Sequence, residues 1–216
     1  MIITFATQKG GAGKTTLAIA FANYLSIVKK KKIQVYDFDF QKSFYNKWAE
    51  DNEEDVFPKL YDVEIVDEEN PVQLEASNIS KMKESEDIYL FDLGGTLNYA
   101  YSDILIYSDV IVIPFEYSDV SIKSTIVFVN ILGMMESQAR RIFLQSKFDK
   151  GYFYRNKEAV DESFRAYGKL LEKPVYKRND LQNINTRKLY YYIKNVVEPT
   201  FVELIDYINE TQEITI

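Results

Sequence analysis

The residues Lys9-Gly10-Gly11-Ala12-Gly13-Lys14-Thr15-Thr16 gather two lysines, three glycines and two adjacent hydroxyls into eight positions. The whole chain of 216 residues holds only eight glycines, so this clustering is specific. Glycine admits positive φ and lets the main chain approach a ligand closely. The amides of Gly10, Gly11, Ala12 and Gly13 can then converge on phosphate oxygens, with the N-terminus of a following helix adding its positive end. In such a loop Lys14 reaches the β- and γ-phosphates, the Thr15 hydroxyl takes a Mg²⁺ position, and Thr16 hydrogen-bonds the α-phosphate.

Carboxylates recur where such a loop needs them. Asp37 and Asp39 in Asp37-Phe38-Asp39-Phe40-Gln41 alternate, so both point the same way at the C-terminal end of a strand. Open α/β sheets bind their ligands at that end. Ile88-Tyr89-Leu90-Phe91-Asp92 is an apolar run closed by a carboxylate, which suits a Mg²⁺ ion held through water. Gly94 and Gly95 follow, and a Gly95 N–H could swing onto the γ-phosphate. The chain has no Cys and no His. Disulfides, thiolate metal sites and imidazole catalysis are therefore excluded, which leaves carboxylates, lysines, backbone amides and a bound ion.

The elements that must position these groups are legible in the hydrophobic pattern. Ile2 to Ala6 is a buried first strand running into the glycine loop. Leu17 to Val28 follows as a helix with a broad apolar face, and Lys29 to Lys32 lie where its dipole favours cations. Ile33–Phe38, Ile88–Asp92, Val110–Pro114, Ile142–Gln145 and Pro174–Tyr176 read as further strands, with an edge strand near Leu60 to Val66. Helices are expected from a Ser43 cap to Glu50, from Pro71 to Met82, and over Ser121–Met135, Lys157–Tyr167 and Pro199–Ile208. Strands alternating with helices imply a single-domain α/β P-loop fold over residues 1–216, with a mostly parallel β-sheet covered on both faces.

Lys9 gives the loop its particular character. The ordinary pattern GxxxxGK[ST] needs glycine where Gln8 stands, whereas Lys9-Gly10-Gly11-Ala12-Gly13-Lys14-Thr15 matches the deviant form KGGxGKT. On these residues the chain resembles the ParA/MinD group of SIMIBI-class P-loop ATPases, most specifically over residues 1–150. The resemblance implies ATP and Mg²⁺ as ligands and a homodimer in the ATP state. Lys9 would reach across that dimer to the partner's phosphates, as an arginine finger does. The Asp37–Gln41 stretch is similar to the family's DxDPQ switch with Phe40 for proline, so Asp39 would lie near Mg²⁺ and orient the attacking water. Asp92 takes the Walker B position, and Leu93-Gly94-Gly95-Thr96 stands where relatives often carry prolines. Ser146 falls where the family has an asparagine reading adenine, a contact that backbone near Tyr176 and Lys177 could share.

Charge divides the chain into three. Residues 1–139 hold 12 Lys+Arg against 22 Asp+Glu, residues 140–194 hold 14 against 6, and residues 195–216 hold none against 5. The basic middle is either a polyanion footprint or a set of solvated helix faces. By resemblance, the first reading points to a small partition ATPase that binds non-specific DNA and answers to a ParB-type adaptor. Candidate DNA contacts are Arg140, Arg141, Arg155, Lys157, Lys177, Arg178, Arg187 and Lys188. No separate N-terminal helix-turn-helix domain is expected, since the first strand begins at Ile2. The alternative is a MinD-like ATPase working at another surface, which wants a basic amphipathic C-terminal helix. Phe201 to Ile208 is amphipathic but acidic, so no membrane partner is expected. With neither a signal peptide nor an apolar span, the expected location is cytoplasmic, nucleoid-associated if DNA is bound.

Overall fold

In the computed structural model, which describes residues 1–54, 58–66, 76–95 and 102–211, every strand pair is parallel. The elements run β1 (Ile2–Phe5), α1 (Lys14–Ile27), β2 (Ile33–Phe38), α2 (Ser43–Asp51), β3 (Asp62–Ile65), α3 (Ala76–Glu84) and β4 (Ile88–Leu93). They continue as α4 (Ser102–Tyr107), β5 (Val110–Phe115), α5 (Asp119–Met134), β6 (Arg140–Gln145), α6 (Lys157–Arg165) and β7 (Lys169–Leu170). A 3₁₀ turn (Asn179–Asn183) and α7 (Tyr191–Thr211) complete them. The sheet order is β3-β2-β4-β1-β5-β6-β7. The chain thus builds outward from β1 on one side, returns through β4, and crosses to the other side with β5. The loop leaving β1 opens at this reversal, on the carboxyl edge where such sheets bind ligands.

Alternation along the strands divides the apolar residues between two cores. Ile3, Phe5, Val35, Leu90 and Val112 face α1, α2 and α7, while Ile2, Tyr36, Phe91 and Ile111 face α5 and α6. Helix α1 is buried on every side from Leu17 to Leu25, a condition met by helices that are apolar all round. A polar exception inside it is Asn23, whose amide donates to the carbonyls of Asn185 (2.7 Å) and Lys188 (3.2 Å). Tyr61 donates its hydroxyl to the Asn23 carbonyl at 2.8 Å, so the buried amide is satisfied.

Several elements differ from the sequence expectation, each for a physical reason. No strand forms over Pro174–Tyr176, where a single bridge joins Phe148 to Tyr176. The seventh strand is instead Lys169–Leu170, admitted by Gly168: a Cβ there would stand 2.3 Å from the Arg141 carbonyl oxygen. Ser43 does not cap α2. The N-cap is Lys42, left-handed at φ 51, and the Tyr45 N–H of the first turn donates to Asp37 Oδ2 at 2.9 Å. Helix α7 begins eight residues ahead of Pro199 and passes through it, and α4 had no expectation. The edge position of β3 agrees with its reading. Pro71 and Thr96 lie outside the described residues. No described helix is long and apolar enough to cross a membrane.

Candidate nucleotide site

The glycine loop has the backbone its composition demands. Gly11 and Gly13 both sit at φ 80, in the left-handed region, and Gly13 caps α1, whose first residue is Lys14. A Cβ on Gly13 would also stand 3.1 Å from Ser146 Oγ, so the turn after β6 is fitted against the loop. Gly95 lies against the main chain of Gln8 and Gly10. Lys9, Gly10, Gly11, Gly13, Lys14, Thr15, Thr16, Asp39 and Gly95 line one cavity of about 890 Å³. Ala12 and Ser146 are buried, outside that lining. Phe40, Lys47 and Gln182 join the wall, though the sequence reading had given none of them a role there.

Three oxygens meet at one ammonium. Lys14 Nζ lies 2.7 Å from Asp92 Oδ1, 3.5 Å from Thr15 Oγ1 and 3.9 Å from Asp39 Oδ2. Asp92 is fully buried, and its Oδ2 has no hydrogen-bond partner among the described residues. Asp37 is beside it in register across β2 and β4. Burial, then the Asp92 charge, push the Asp37 carboxyl up to about 6. Its oxygens accept the N–H groups of Asp39 and Tyr45, which fix the switch loop and the start of α2. Asp37 therefore shapes the site, whereas Asp39 opens onto the cavity. Hard oxygen donors with an orphaned buried carboxylate oxygen among them fit Mg²⁺. Thr15, Asp39 and Asp92 would hold it, with phosphate and water completing the shell.

Lys9 is tethered within its own chain. Its ammonium reaches Glu116 Oε2 at 3.2 Å and Ser118 Oγ at 3.4 Å. The other oxygen, Oε1, pairs with Lys147 Nζ at 3.1 Å, and Lys147 also donates to the Gly11 carbonyl. Burial raises the Glu116 carboxyl, but hydrogen bonds from Lys147 and Lys9 outweigh it, and the net position is below the ordinary range. Glu116 and Ser118 escaped the sequence reading. Their signal was a carboxylate and a hydroxyl just past the apolar run of β5, the strand beside β1.

The basic segment does not form one surface. Arg140 and Arg141 open β6 at the end of the parallel sheet opposite the glycine loop, and Arg140 donates to the Ile208 carbonyl. Arg187 donates to the carbonyls of Asp51 and Glu54, Arg178 pairs with Asp180, and Lys157 pairs with Asp161. Arg155, Lys177 and Lys188 are exposed.

A family model described as the CobQ/CobB/MinD/ParA nucleotide binding domain matches residues 3–214. No curated protein sequence matches the chain. Among solved structures, one assigned to plasmid partition in Borrelia burgdorferi B31, bound to AMPPNP, superposes with a TM-score of 0.73 at 20% identity, over 98% of each chain. The MinC:MinD cell division complex of Aquifex aeolicus gives 0.72 at 13%, over 100% of this chain and 98% of that one. pNOB8 ParA bound to nonspecific DNA gives 0.65 at 15%, over 98% and 99%. These likenesses are of fold.

Proposed function

The chain belongs to the CobQ/CobB/MinD/ParA nucleotide-binding domain family, and from that premise we propose that it is a ParA-like ATPase of DNA partition. ATP binding would close a homodimer, the dimer would hold DNA without sequence preference, and a ParB-type adaptor would stimulate slow hydrolysis. The observation that carries the reading is the convergence of Thr15, Asp39 and Asp92 oxygens on Lys14 Nζ beside a left-handed glycine loop. A triphosphate in this cradle meets loop amides, the α1 N-terminus and Lys14 together. Mg²⁺, held by Thr15, Asp39 and Asp92, would supply charge neutralisation of the triphosphate. Asp39, at the cavity wall, accepts a hydrogen bond from the attacking water and orients it. Lys9 leaves Glu116 and Ser118 to meet the partner's phosphates, which ties turnover to dimer formation.

Two weak basic surfaces brought together by dimerisation gain effective concentration on DNA, which supports ATP-dependent binding. The acidic face of α7 speaks against an anionic lipid surface as the alternative. ATP and DNA are both cytoplasmic, and the proposed site of action is the nucleoid. The test is calorimetry with Mg–ATP, joined to phosphate release by the parent and by Asp39→Ala. The variant should bind ATP, accumulate as a dimer and lose turnover at least about a hundredfold. Parental turnover in that variant would remove Asp39 from the chemistry. No heat with millimolar Mg–ATP would remove the function itself.

A further inference from the structure

One carboxylate with two lysines on it needs an explanation. The Glu116 side chain is only 24% exposed and carries one negative charge, yet Lys9 holds one oxygen and Lys147 the other. Lys147 is further restrained. It occupies a left-handed backbone conformation at φ 52, which is uncommon for a residue with a Cβ. From there its ammonium also donates to the Gly11 carbonyl, in the glycine loop itself. Lys9, in contrast, adds only a hydroxyl contact to its ion pair. Of the two cations, Lys147 has the closer second contact, to the loop itself, although its side chain is the more exposed, 46% against 22%.

We infer that Lys147 is the resident counter-ion of Glu116, a positioning residue that lets Lys9 leave without stranding a largely buried carboxylate. This rests on the proposed function, in which Lys9 crosses to a partner. A carboxylate in that setting resists losing its last cation, because the unpaired charge would keep its desolvation penalty. With Lys147 in place, the departure of Lys9 exchanges a doubly paired carboxylate for a singly paired one. Without Lys147, Lys9 is the remaining ammonium on Glu116, and the carboxylate holds it back. Lys147 also lines the nucleotide cavity, so the experiment must separate action through Glu116 and Lys9 from action on the phosphates.

The test is a double-mutant cycle on the dimer. Sedimentation of the full chain with AMPPNP and magnesium gives dimer dissociation constants for the parent, Lys147→Met, Glu116→Gln and the double variant. Lys147→Met should weaken the dimer on the order of fivefold, the scale of one partly exposed ion pair. Lys147→Arg should retain it, which separates charge from misfolding. In the Glu116→Gln background, Lys147→Met should shift the constant by less than about twofold, because nothing remains to be compensated. Equal weakening in both backgrounds would mean that Lys147 acts elsewhere, and no weakening at all would mean that it does not act; either overturns the inference alone. A parent that stays monomeric with AMPPNP overturns the proposed function, and the inference with it.

Discussion

Lys14 supplies the counter-charge to Asp92 in a fully buried position. Removing it should cost stability as well as binding, since it leaves a buried carboxylate uncompensated. Lys14→Met is expected to lower the unfolding free energy by roughly 3 kcal/mol without nucleotide, and Asp92→Asn in the same chain should recover most of it. Denaturant titration of the two variants checks this. Glu116 offers a second measurement. Its carboxyl is held below the ordinary value, so its contribution is present above the unfolded-state value near 4.5 and lost as pH falls through the lower folded one. The stability gap between parent and Glu116→Gln should therefore close as the pH falls below about 4.5. A gap that widens on acidification would contradict the pairing. Lys14 was legible in the sequence because its neighbours in the loop announce it. Glu116 was not, because its contact with Lys9 spans 107 positions and exists only where β5 lies beside β1.

Elements carried by long apolar runs were readable to within a few residues. β2 ends where its pattern ends, and β4 extends one residue beyond its own. The two-residue β7 was not, since it owes its place to one glycine rather than to a hydrophobic pattern. Gly168→Ala should force β7 away from Arg141 and destabilise the fold by roughly 3 kcal/mol, the upper range for overpacking. Thermal unfolding of that variant, beside Gly133→Ala where an added methyl meets open space, separates the clash from the change in helix and chain propensity. The start of α2 was misread for a related reason. Ser43 has the composition of a cap, but Asp37, six residues upstream on a strand, already accepts the relevant N–H. Local rules lose where a neighbouring element supplies the same hydrogen bond. Pro199 marks no helix start either, because α7 already runs through it.

At the scale of the whole molecule, the charge division seen in the sequence becomes a question of which cations share a surface. Sequence counting could not answer it, since Arg140 and Lys188 belong to one basic segment but Arg140 opens β6 whereas Lys188 lies in the connection before α7. Arg140 is half-buried at the end remote from the glycine loop, whereas Lys177 and Lys188 are exposed. Lys177→Glu and Lys188→Glu should each weaken ATP-dependent DNA binding and flatten its salt dependence by about one unit of slope, while Arg140→Gln leaves that slope unchanged. Fluorescence anisotropy across a salt series is the measurement. Equal slopes for all three variants would move the DNA surface elsewhere.

Asn23 adds a consequence for anyone rebuilding this molecule. The helix that begins at Lys14 carries, two and a half turns on, the amide that clasps the carbonyls of Asn185 and Lys188. Any segment transplanted at 185–188 would have to follow the same backbone path to present these two main-chain carbonyls to the Asn23 amide. The two stretches, far apart in the gene, form a single module for recombination.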